Sequence, residues 1–143
     1  MKLNTIEHKT QLCIVGGGIG GMFAAISAAR HGAKVVLMHD RPVLGGNASS
    51  EIRMHICGAT ANNEKPELSE GGIIHELMLA NKRVNDSYNF SIWDAVLFDA
   101  AKKEKNLDLY LNCTMHSATC VNGEVKSLEC YQLTLSLIHI SEP

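Results

Sequence analysis

Two short apolar runs, Leu12-Cys13-Ile14-Val15 and Val35-Val36-Leu37-Met38, stand out from polar surroundings and have the length of buried strands. Five glycines in the six positions 16–21 end the first run. Ile19, Met22, Phe23 and Ile26 then recur at helical spacing, which predicts a helix beginning near Met22, rich in alanine and stopped at His31-Gly32. Strand, glycine turn, helix and second strand make a βαβ unit of about thirty residues.

Further on, residues 71–83 place Ile73, Ile74, Leu77 and Met78 on one helical face and leave His75 and Glu76 in solvent. Ser91-Ile92-Trp93-Asp94 reads as a capping box with Asp94 in place of glutamate, opening a helix to about Lys105. Trp93, Val96, Leu97 and Ala100 form its buried stripe, and Lys102, Lys103 and Lys105 lie near its negative end. Residues 107–112 alternate and predict a third parallel strand, while residues 115–121 and 124–131 flank Asn122-Gly123, a strong hairpin signal. Residues 51–58 also alternate, with Arg53, His55 and Cys57 on one face, as in a short strand or extended loop; residues 60–70 read as a surface loop.

The glycines carry the first chemical suggestion. Gly16, Gly18 and Gly21 fit G-x-G-x-x-G: one for the tight turn, one for close approach to a pyrophosphate, one for helix–strand packing. A helix N-terminus stabilises phosphate through its free N–H groups and positive dipole end, so no lysine is needed. A glycine turn without a ligand is the plainer alternative, and the strand–turn–helix context favours dinucleotide binding. An acid some twenty residues later accepts ribose hydroxyls in such folds. Asp40 lies near that distance and His39 one residue earlier; counting alone leaves both open, and the plainer but less favoured alternative for Asp40 is a turn residue before Pro42.

Composition narrows the classes. A chain of 143 residues, 45% hydrophobic, suffices for one packed core. Its net charge of −2, without blocks of like charge, gives no support for nucleic-acid or membrane-surface binding. No signal-peptide or transmembrane-length apolar segment is present, so a cytoplasmic location is expected. Cys13, Cys57, Cys113, Cys120 and Cys130 show no C-x-x-C and read as buried or half-buried thiols. His55-x-Cys57 lacks a second ligand pair, so no metal is expected.

The glycine turn, the second strand and Arg41-Pro42-Val43-Leu44-Gly45-Gly46 together resemble the FAD-binding half of flavoprotein oxidoreductases with a glutathione-reductase-type Rossmann fold. Residues 40–53 are similar to a bacterial family of FAD-dependent oxidoreductases, and the resemblance spans about residues 12–134. It implies a parallel sheet with a small antiparallel meander, and FAD held by Gly16, Gly17, Gly18, Ile19, Gly20 and Gly21, by His39, Asp40 and Arg41, and by Gly45, Gly46 and Asn47. It also places the backbone of Met115 at the adenine ring. His39 departs from the glutamate common in the wider group. With Cys57 followed only by Cys113, a dithiol relay to the flavin is not expected. Arg53 or His55 could bind an anionic substrate or stabilise charge on the flavin ring, although a solvent-facing strand edge is the simpler reading. Trp93 is expected in the core, not against the flavin.

Residues 135–143 do not continue this pattern; they resemble translated sequencing-adapter read-through and are expected to be a non-native tail joined near Thr134. Residues 1–134 are then the N-terminal part of a truncated FAD-binding domain, inactive alone, whose full-length enzyme passes a substrate hydride to the flavin. The substrate is a small molecule of open identity, and neither a catalytic residue nor an oligomeric state is assigned. Two other readings stay open: direct NAD(P) binding, and a non-catalytic nucleotide-binding module.

Overall fold

A computed structural model of the chain describes residues 5–57, 68–133 and 136–141. The predicted loop at 60–70 lies largely outside these residues.

The apolar runs form β2 (Leu12–Val15) and β3 (Val35–Met38), joined through α1 (Ile19–Arg30). The helix begins at Ile19, earlier than expected, because Gly18 is extended and its carbonyl already accepts from Met22 N–H at 2.9 Å. Strands β2, β3 and β4 (Leu107–Tyr110) make a parallel sheet in that order, with Leu12 opposite Val35 and Val35 opposite Leu107. Helices α2 (Gly72–Val84) and α3 (Phe90–Lys103) precede β4.

Every residue of β3 is buried, as befits a strand covered on both faces. Val35 and Leu37 enter a core with Met22, Ile26, Leu77, Trp93 and Leu97, so the tryptophan is a core residue as expected. Val36 and Met38 point the other way, into a second core with Cys113, Leu128, Cys130, Ile138 and Ile140. Strict alternation along one strand thus joins two cores in three layers: helices, parallel sheet, mixed sheet.

The mixed sheet has the order β1 (Thr5–Lys9), β7 (Ser136–Ser141), β6 (Glu124–Gln132), β5 (Cys113–Val121). Strands β5 and β6 are the predicted hairpin, and Asn122 and Gly123 both adopt the positive φ of a two-residue turn, 53° and 83°. Strand β1 lies in the polar N-terminal stretch, for which the pattern predicts no element. It pairs in parallel with β7, the segment expected to be a non-native tail.

Three local expectations change. The cap of α3 is Asn89, whose side chain accepts from Ser91 N–H at 2.8 Å, and not a box of Ser91 with Asp94. Asp94 is buried and instead accepts from Ser50 N–H at 2.9 Å, tying α3 to the loop after β3. Met78 is half exposed on α2, where Ile74 and Leu77 are buried. Residues 51–55 are exposed on both faces of the alternation, Ile52 and Met54 included, so no half-buried strand forms there.

Candidate dinucleotide site

The glycine turn sits at the carboxyl end of β2. Gly16 has φ 110°, a left-handed-side conformation, and its N–H bonds to Met38 O at 2.8 Å, closing the turn against β3. At Gly21 a side chain is impossible: a Cβ would stand 2.0 Å from Gly16 O. The first turn of α1 therefore lies directly on the turn. Above Gly18 and Gly20 a Cβ would meet nothing within 4 Å, so this side of the turn is open. No side chain caps α1 and its first turn holds no acid, which leaves the positive end of the helix for an anion.

Gly45 and Gly46 close over the same turn. Gly45 N–H donates to Gly17 O at 2.8 Å, and Gly18 and Gly45 form a parallel bridge. Gly45 is buried against α3, where its Cβ would fall 2.7 Å from Leu97 Cδ1. The two glycine pairs thus zip two chain segments together without side chains between them. The first turn, residues 45–48 and residues 54–56 wall a groove of about 540 Å³, open to solvent.

The predicted site residues fall into two groups. Gly18, Ile19, Gly45, Gly46 and Asn47 line the groove, and Gly16, Gly17, Gly20 and Gly21 build the turn beneath it. His39, Asp40 and Arg41 follow β3, alongside the turn. His39 N–H bonds to Tyr110 O and its carbonyl accepts from Cys113 N–H, so its backbone is held by both β4 and β5. Its ring is buried, and a Cβ at Gly17 would touch it at 2.8 Å. Burial pushes the imidazole pKa down, against the smaller upward pull of Asp40 and Glu51, so the ring is neutral at pH 7. Asp40 and Arg41 are exposed. Met115 is also exposed, on β5 at the residue where the hairpin register shifts.

Arg53 and His55 separate. His55 lines the groove, with its ring centroid 6.3 Å from that of Phe90. Arg53 has φ 62° and donates from Nε to Ser50 O at 3.2 Å, outside the groove lining. The Asp94–Ser50 tie, which braces the groove wall, carries no signal in the sequence because its partners are 44 residues apart.

The cysteines divide likewise. Cys113 and Cys130 are buried and Cys13 half-buried, but Cys57 and Cys120 are exposed, contrary to expectation, and no disulfide forms. Burial pushes the Cys13 thiol up to about 11, so it is protonated at neutral pH.

A parallel sheet with a glycine turn on a helix N-terminus defines a dinucleotide-binding domain of Rossmann type. The chain belongs to the FAD dependent oxidoreductase family, which it matches over residues 11–140. FAD is accordingly its cofactor, and the open face above Gly18 with the uncapped helix end fits a pyrophosphate. Over 47 residues it is 49% identical to a fumarate reductase (cytochrome) of Shewanella frigidimarina, a segment covering 32% of this chain and 8% of that protein. Over 43 residues it is 37% identical to a soluble pyridine nucleotide transhydrogenase of Marinobacter nauticus, covering 30% of this chain and 9% of the relative. Among solved structures, an open flavocytochrome c3 fumarate reductase matches with TM-score 0.63 at 16% identity, over 94% of this chain and 32% of that one. L-proline dehydrogenase from P. horikoshii matches with TM-score 0.57 at 16% identity, over 99% and 22%. The chain therefore spans about a third or less of these proteins, and the likeness to the solved structures is one of fold. Among the described residues no helix is long and apolar enough to cross a membrane.

Proposed function

We propose that this chain is the ADP-binding portion of a longer, cytoplasmic FAD-dependent oxidoreductase that oxidises or reduces a small molecule. The supporting observation is the doubled glycine contact, Gly45 N–H to Gly17 O with the Gly18–Gly45 bridge, beside an open groove at the α1 N-terminus. Bound there, FAD supplies the hydride-accepting chemistry. The chain's own residues bind and orient. N–H groups at the start of α1 face the pyrophosphate, with Gly18 leaving room for it. Asp40, or His39 beside it, serves the ribose, while Arg41 borders the same end of the site and the backbone of Met115 serves the adenine. Residues 45–47 pass along the far side of the cofactor. Among the described residues His55 is the titratable side chain lining the groove, and in this reading it acts on charge at the flavin end. The coverage of only 32% and 22% of the solved relatives supports a substrate domain supplied by the rest of the protein.

The test is the visible spectrum of the purified full-length protein. Flavin absorption bands are expected, and Gly18→Asp, which puts a carboxylate where the pyrophosphate binds, is expected to abolish them. A colourless, folded protein that FAD does not stabilise against heat would rule the reading out. Family membership weighs against NAD(P) as the direct ligand and against a purely non-catalytic module.

A further inference from the structure

His39 presents an unresolved polar group at the edge of the site. Its ring is more than nine-tenths buried, and neither nitrogen has a partner at full hydrogen-bond geometry among the described residues, although the Val43 carbonyl lies near enough to favour a proton on the ring. Asp40 Oδ1 lies 3.3 Å from Nδ1, near enough for attraction though outside hydrogen-bond geometry. The two side chains differ sharply in access: the His39 side chain is 9% exposed and that of Asp40 60%. A ligand at the site can reach the carboxylate directly, but it cannot reach the ring.

Chemistry selects the tautomer. With the proton on Nδ1, the ring's donor faces a carboxylate and the other nitrogen keeps only an acceptor lone pair. With the proton on Nε2, a lone pair faces the carboxylate, a repulsive contact that the other tautomer turns into an attractive one. A small rotation of the Asp40 side chain completes the Nδ1–H bond. That rotation fixes one carboxylate oxygen and leaves the other free to accept from vicinal hydroxyls.

We propose that His39 is a positioning residue for the cofactor: from beneath the glycine turn its Nδ1–H orients the Asp40 carboxylate toward the ribose hydroxyls of the dinucleotide. The assignment rests on the FAD reading above, and within it resolves the choice between the two residues. Asp40 is the ribose acceptor and His39 acts through it. The carboxylate stands two residues beyond the end of β3, and the buried imidazole compensates for that displacement by restricting its rotamer.

The experiment is an FAD titration of the deflavinated full-length protein, followed by flavin fluorescence, with His39→Asn, His39→Leu, Asp40→Ala and the Leu/Ala double variant. Asparagine carries an amide N–H near the place of Nδ1, and leucine fills the volume without a donor. His39→Leu is expected to weaken FAD about tenfold, the worth of one charge-assisted hydrogen bond, and His39→Asn to stay within about threefold of the wild type. Asp40→Ala is expected to cost about tenfold alone and almost nothing further on top of His39→Leu, because the two act as one unit. If His39→Leu fails a thermal-melt check of folding, His39→Gln, whose amide falls near Nε2, takes its place with the same expected loss. Wild-type affinity in the leucine or glutamine variant overturns the proposal, as do fully additive losses in the double variant. A wild-type protein that does not bind FAD overturns the flavin reading instead, and the inference with it.

Discussion

The two cores on either side of β3 are built from opposite kinds of information. The helix-side core gathers Met22, Ile26, Val35 and Leu37 within one βαβ unit, then adds Trp93 and Leu97 from α3. The sheet-side core joins Cys113 and Cys130 of the hairpin to Ile138 and Ile140 of β7, and that strand pairs with β1 near the opposite end of the chain. The site rests on the first. The glycine turn, α1 and the Gly45 contact all belong to it, and the second core adjoins the site through the residues that follow β3 and through β5. Local sequence thus specifies the cofactor turn, whereas the supporting layer depends on pairing between distant segments with a larger closure entropy.

That contrast can be broken at several points. Leu37→Ala, which empties a fully buried position on the helix side, is expected to destabilise by about 4 kcal/mol in denaturant melts. Ile138 is equally buried on the other side, and Ile138→Ala is expected to cost about 3 kcal/mol. A cost below about 1 kcal/mol there would mean that the second core does not assemble through β7 and would favour a non-native origin for residues 135–143. Gly21→Ala places a Cβ against Gly16 O, with an expected loss of about 3 kcal/mol together with flavin binding; retention of bound flavin on purification would contradict the close packing of the turn.

A pH experiment probes the seam between the cores. The folded pKa of His39 is lowered by burial, so the unfolded chain binds the proton more readily. This contribution is complete above the ordinary histidine pKa of about 6.5 and declines as pH falls below it toward the folded value. Thermal melts of His39→Asn against wild type across that window should show a smaller decline in the variant. Asn89→Ala removes the cap of α3 and is expected to cost about 1 kcal/mol. The smallest effect belongs to Arg30, which pairs with Glu76 and Glu104 at 2.7 Å on the exposed side of the helices: Arg30→Ala is expected to cost under about 1 kcal/mol, less at high salt.

The amino-acid order alone determined the βαβ unit, the hairpin at Asn122-Gly123, the glycine turn between β2 and α1 and the core role of Trp93. Each is written in spacing or in a residue type with one conformational use. The fold decided the rest. Nothing in Thr5–Lys9 marks a strand, since its residues are mostly exposed and its partner lies more than 120 residues away. The α3 cap went to Asn89 because Asp94, the residue that fits the local motif, is drawn inward to the Ser50 N–H. The alternation at residues 51–57 joins no sheet among the described residues, so Ile52 and Met54 stay exposed while Ile56 packs on the helix-side core. At His39 and Asp40, counting does not separate two adjacent residues; only the fold gives them different access, one closed beneath the glycine turn and the other at the surface. Short-range patterns survive because a turn or a helix face satisfies itself within a few residues, while strand partners, buried polar ties and side-chain access exist only once distant segments meet.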